Sequence, residues 1–109
     1  MEMLNKVELR GIVGSVNLSE IGQSEQARFS VMTEYACKDK QGNPIIETTW
    51  HQCVAYREWR NGNQMPFEEL KKGARVHLAG RIKMQRYVDA NGHEHTAYGI
   101  YVNALTVEG

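Results

Sequence analysis

In the segment GRIKMQRYV (Gly80–Val88), the groups able to do chemistry share one parity. Arg81, Lys83, Gln85 and Tyr87 alternate with Ile82, Met84, Arg86 and Val88. Successive side chains of a strand point to opposite faces, so one side is largely apolar and the other carries guanidinium, ammonium and phenol. The segment TTWHQCVAY (Thr48–Tyr56) repeats the arrangement, with Trp50, Gln52, Val54 and Tyr56 on one face and His51, Cys53 and Ala55 on the other. The second set is small and suits a tight interior, which sends Trp50 and Tyr56 outward. Arg57 and Arg86 adjoin two of the three rings.

Rings interleaved with cations are suited to a flexible polyanion whose units have flat faces. Each unpaired base offers a π-face worth about 1–3 kcal/mol on an aromatic platform, while cations track the phosphates. A duplex reader needs a helix or ribbon carrying donors fixed on base edges, and no segment supplies one. Each feature also has a plainer reading. Trp50 can be a core residue, Tyr87 a cross-strand packing partner, and the Arg81/Lys83 stripe a solvated strand face. Trp50 stacking on a sugar, or packing in a protein-interaction module, stays open as well.

Catalysis finds no foothold. The sequence has neither a GxxxxGK[ST] phosphate loop nor a GxSxG nucleophile turn. His93 and His95 in "HEH" give at most two loose ligands at a turn, so no metal and no cofactor is expected. Cys53 two residues from His51 reads as a small buried apolar residue rather than a nucleophile. Thirteen basic and thirteen acidic residues cancel, so any affinity for nucleic acid has to come from clustering on one face.

Holding those side chains requires short strands between Gly/Asn turns. KVELRGIVGSV alternates Val7, Leu9, Gly11 and Val13 against Glu8 and Arg10. NLSEIGQSEQ (17–26) reads as a polar loop. ARFSVMTEYAC sets Phe29, Val31, Thr33 and Tyr35 against Arg28, Ser30 and Glu34, and KDKQGNP is a turn. After the third strand, REWRNGNQ (57–64) is loop-like. MPFEELKKG reads as a brief helix with Pro66 in its first turn and Gly73 as its stop. Two further strands flank the Asn-Gly hairpin signal in DANGHE. Three strands, a short helix and two strands form the layout of an all-β OB-fold, a five-stranded Greek-key barrel, here one domain over residues 1–109. Cys37 and Cys53 read as reduced thiols, and the start has no secretory pattern, so a cytoplasmic protein is expected.

Beyond these readings, NKVELRGIVG (Asn5–Gly14), TTWHQCVAY and LKKGARVHLAGRIKMQRYVDANG (Leu70–Gly92) resemble the bacterial single-stranded DNA-binding protein family. The resemblance lies in N-K-V-x-L-x-G, then a T-x-W-H strand ending in an aromatic, then L-x-K-G-x-x-V-x-x-x-G-x-I, an aromatic and a D-x-x-G hairpin. It implies an OB-fold that coats single-stranded DNA without sequence preference as a homo-oligomer, usually a tetramer. It puts stacking rings at Trp50, Tyr56 and Tyr87, and phosphate contacts at Lys6, Lys40, Arg57, Lys72, Lys83 and Arg86. Cys37 stands where that family carries a further tryptophan, with Tyr35 one same-face step away as a substitute. The sequence ends at Gly109 without the family's linker and acidic tip, so DNA binding without recruitment of replication enzymes by that route is expected. A primosomal replication protein of the short OB-fold dimer type is the alternative.

Overall fold

Apolar residues at every second position make each strand amphipathic, and five such strands bury their apolar sides only by closing on one another. The computed structural model describes residues 1–58 and 65–108. Its elements are β1 (Val7–Ile21), β2 (Ser24–Lys38), β3 (Pro44–Glu58), a 3-10 turn (Phe67–Glu69), β4 (Arg75–Val88) and β5 (Glu94–Glu108). The strands form a closed barrel in the order β1-β2-β3-β5-β4, which is the OB-fold arrangement. All pairs are antiparallel except β3 with β5.

The barrel closes because β1 serves two neighbours. Its first part pairs with β4 from Val7 to Ile12, and its second with β2 from Ile12 to Ile21, with a register shift between Val13 and Val16. The bend needs close backbone approach at Gly11, where a Cβ would overlap the Met32 carbonyl oxygen. Inside, alternate residues meet: Val13, Phe29, Val31, Cys53, Ala55, Val76, Leu78, Ile100 and Val102 are buried. Phe67, with Met65 and Leu70, joins the same core from the 3-10 segment.

Three local expectations change. The segment 17–26 is a hairpin rather than a loop, because Asn17–Ile21 pair with Ser24–Arg28 and Gly22 turns the chain at φ 63°. Its β1 half, Asn17–Ile21, is exposed on both faces, while Gln26 and Ala27 of its β2 half are buried. The brief helix is a single 3-10 turn, preceded by Pro66, with extended backbone already at Leu70. Of the loop assigned to 57–64, Arg57 lies in β3 and residues 59–64 fall outside the described residues.

The strands overrun the barrel. β3 and β5 pair only at Cys53–Ile100 and Val54–Tyr101, so beyond that point the β2–β3 and β4–β5 hairpins separate as two arms. Both arms end in the same turn. Asp39 and Asp89 each accept two backbone N–H bonds on one carboxylate oxygen, from residues two and four further on, at 2.8–2.9 Å. Gly42 and Gly92 sit at φ 84° and 83°, where only glycine is unstrained.

Candidate nucleic-acid interface

Strand register places the outward side chains. At the point where the four strands meet, Arg28 (β2) pairs with Val54 (β3), Val54 with Tyr101 (β5), and Tyr101 with Arg81 (β4). These four form one row across the outer surface. The row beneath, Phe29, Cys53 and Ile100, is core. Tyr101 is the hub of the outer row. Its ring centroid lies 5.6 Å from that of Tyr56. The Arg81 guanidinium carbon sits 4.5 Å from the Tyr101 centroid and the Lys83 ammonium 5.3 Å from it. Cations over an electron-rich ring hold the Arg81 and Lys83 stems in place while leaving charge available. Neither is in a salt bridge among the described residues.

The three sequence-derived rings all face outward, but in different settings. Trp50 is 53% exposed, which excludes a core role. Its inner edge rests on β1 at Gly14, where a Cβ would overlap the indole. Tyr56 is half-buried, and its hydroxyl accepts a 2.9 Å bond from the Gln26 amide. Tyr87 is 53% exposed and stacks on His95 across the hairpin, with centroids 5.2 Å apart and planes inclined by 22°. Asp89 Oδ2 lies 2.6 Å from His95 Nε2 and fixes that imidazole. The bond from His95, with the turn's N–H bonds, holds the Asp89 carboxyl below the usual range.

Between the arms lies an open cavity of about 260 Å³, bounded by Arg28, Gln52, Lys83, Gln85, Gly99 and Tyr101 among others. Cys53 reaches its floor, but burial pushes that thiol to about 12, which leaves it protonated and poorly nucleophilic.

The cations separate into distinct groups. Arg81 and Lys83 belong to the ring-bearing face. Arg57 does not act as a surface cation. Its guanidinium makes bonds of 2.9 and 2.8 Å to the two Glu25 oxygens, meets Glu68 at 2.7 Å, donates to the Met65 carbonyl at 2.9 Å and covers the Phe67 ring. The bonds to Glu68 and Glu25 raise its pKa further, and its side chain is only 18% exposed. Adjacency to Tyr56 in sequence puts Arg57 on the opposite parity, where it ties β2, β3 and the 3-10 segment together. Arg86 likewise lies on the parity opposite to Lys83 and Tyr87, beside Thr96. Lys40 is in the β2–β3 turn, eight residues past Met32, the partner of Trp50, and the six strand residues to Lys38 alone span about 20 Å. Lys72 sits in the turn before β4, at least about 20 Å along the chain from Arg81. Lys6 precedes β1, next to Asn5, whose side chain bonds the Ile82 backbone at 2.7 and 2.9 Å. Tyr35 is exposed but pairs with Glu47, on the face of its arm opposite to Trp50.

Tyr101, His95 and Arg28 were not singled out from sequence. Parity was available for all three: His95, Ala97, Gly99 and Tyr101 oppose the apolar Ile100 and Val102, and pairing across the Asn-Gly turn sets Tyr87 beside His95.

The chain is a closed OB barrel that bears exposed rings and cations on one face. Residues 4–108 match the family described as the single-strand binding protein family, and the chain belongs to it. A protein of Neisseria meningitidis serogroup B named single-stranded DNA-binding protein is 35% identical over 109 residues, covering 97% of this chain and 60% of its own. One of that name from Xanthomonas campestris is 29% identical, covering 97% and 61%. The chain therefore spans about 60% of the length of these curated relatives. Among solved structures, the Plasmodium falciparum SSB complex with ssDNA matches with a TM-score of 0.85 at 24% identity, covering 100% of this chain and 98% of that one. The small single-stranded DNA-binding protein of Streptomyces coelicolor matches at 0.68 and 18% identity, covering 97% and 96%. At these identities the structural matches bear on the fold.

Proposed function

We propose that the chain binds single-stranded DNA non-sequence-specifically and without catalysis, in replication, recombination or repair. Trp50, Tyr56 and Tyr87 stack unpaired bases, while Arg81 and Lys83 neutralise phosphates. Lys6, Lys40, Lys72 and Arg86 are peripheral charges on a longer strand path. The observation that carries this reading is the single outer face on which Trp50 and Tyr87, both half exposed, flank the Tyr101–Arg81–Lys83 cluster. Membership of the single-strand binding family and the names of its relatives support it.

The reverse face of the β4–β5 arm supports self-association. Ile82, Met84, Val88 and Tyr98 are 50%, 45%, 63% and 68% exposed, an apolar strip that water covers poorly. A homo-oligomer, with four copies expected and two as the short dimeric alternative, is part of the reading, as is a cytoplasmic, nucleoid-associated location. No helix among the described residues is long and apolar enough to cross a membrane.

The test is titration with oligo-dT. Trp50→Ala is expected to weaken binding by about 1–3 kcal/mol. An unchanged affinity, or equal affinity for an oligosaccharide panel, removes Trp50 as a base platform.

A further inference from the structure

The cavity between the arms differs in kind from a stacking groove. Arginine and lysine only donate hydrogen bonds, phosphates only accept them, and rings need neither. Two carboxamides line this cavity, Gln52 on β3 and Gln85 on β4, both exposed on the outward register. A carboxamide accepts as well as donates, and that capacity is useless toward phosphate but matches the mixed donor–acceptor edge of a base. Two cations, Arg28 and Lys83, stand at the same cavity, and Arg28 is in no salt bridge among the described residues.

The space suits one base. Its volume of about 260 Å³ falls just under the range of about 300–1,000 Å³ for drug-sized ligands. It lies where β3 and β5 part, on the hairpin-tip side of Cys53–Ile100. Gly99 lines it without a side chain, and a Cβ there would make only an ordinary 3.4 Å contact with the Gln52 carbonyl oxygen, so a larger side chain is needed to fill the space.

We infer that this cavity is a slot for a single unpaired nucleobase, read at its edge by Gln52 and Gln85 with its flanking phosphates on Arg28 and Lys83. The chain then prefers one base at one position of the strand it coats. This inference rests on the proposed binding of single strands and adds selectivity to it.

The experiment is fluorescence anisotropy with short homopolymers of dT, dC, dA and dG and an abasic strand of equal length. The proteins compared are the unaltered chain, the Gln52→Ala/Gln85→Ala double variant, Gly99→Val and Trp50→Ala. The unaltered chain is expected to spread the four bases over about tenfold in Kd, within what one amide–base contact supplies. The double variant and Gly99→Val compress that spread to about threefold or less, with the salt dependence unchanged. Trp50→Ala weakens all four bases and keeps the spread. Equal affinity for the four bases, or a spread that survives both slot variants, overturns the slot and leaves single-strand binding standing. Failure to bind any strand, abasic included, overturns the binding reading and the slot together.

Discussion

A glycine on β1 sets the pose of the largest ring on the binding face, and its replacement tests that dependence. Gly14 has ordinary extended backbone, so Gly14→Ala introduces no φ strain. The added Cβ would overlap the edge of the Trp50 indole and come within 2.9 Å of Ser30 Oγ. Gly14 lies in the register shift between Val13 and Val16, which pair with Val31 and Phe29 on either side, so the indole, the end of a side chain, is the part that moves. Trp50 is 53% exposed, and a fully buried tryptophan covers up to about 250 Å², so leaving its seat uncovers about 100 Å². At about 25 cal/mol per Å² the stability loss has an upper value of about 2–3 kcal/mol, and less where the ring finds another resting place. Binding loses the stacking term, about 1–3 kcal/mol, or about five- to 150-fold in Kd. The assay is an anisotropy titration with labelled oligo-dT, with Trp50 emission followed in a Trp59→Phe background and urea unfolding run on the same samples. Trp50→Ala and the Gly14→Ala/Trp50→Ala pair complete a cycle. The double variant is expected to bind no more weakly than Trp50→Ala alone, because Gly14 acts through the ring. Losses that add, or a Gly14→Ala protein with unaltered affinity and emission, would refute the reasoning.

Three further outcomes follow from the same geometry. Arg57→Gln is expected to destabilise the fold by about 2–3 kcal/mol in urea, since it strands Glu25 and removes several charge-assisted bonds, and to leave the salt slope of DNA binding unchanged. Arg81→Gln and Lys83→Gln each flatten that slope by about 0.7, one phosphate apiece, in titrations across a salt series. The third concerns pH. Asp89 has its pKa lowered by the His95 bond and the turn's N–H bonds, so it stabilises the β4–β5 tip above the ordinary Asp value of about 3.9, and that support disappears as pH falls through the lower value. NMR shifts of Gly92 and His95 across an acid titration are expected to report this loosening, and Asp89→Asn to abolish it.

The barrel was legible in the sequence because strict alternation survives wherever one side of a strand is core. Val7, Leu9, Gly11 and Val13, and Cys53 with Ala55, all fall inward as their parity requires. Alternation says nothing about where the core stops. Ile82, Met84 and Val88 continue the inward register of β4 past the barrel, where the arm has nothing to cover them. A polar strand exposed on both faces looks like a loop, and Asn17–Ile21, the β1 half of the Asn17–Arg28 hairpin, is one. The binding face was half legible. Parity picked the exposed rings, but linear adjacency did not display the ion pairs of Arg57, whose partners come from β2 and the 3-10 segment. Tyr101 needed the register of two strands at once, β3 beside β5 and β5 beside β4, which no single segment displays.

The central claim is that one outward face receives the strand. NMR chemical-shift mapping during addition of oligo-dT reads that face residue by residue. The account predicts that the Trp50 indole and the signals of Gln52, Lys83, Tyr87 and Tyr101 shift together, while the buried Val76, Leu78 and Val102 stay still. Shifts confined to other surfaces, with the Trp50 indole and Tyr101 unmoved at saturating DNA, would contradict it.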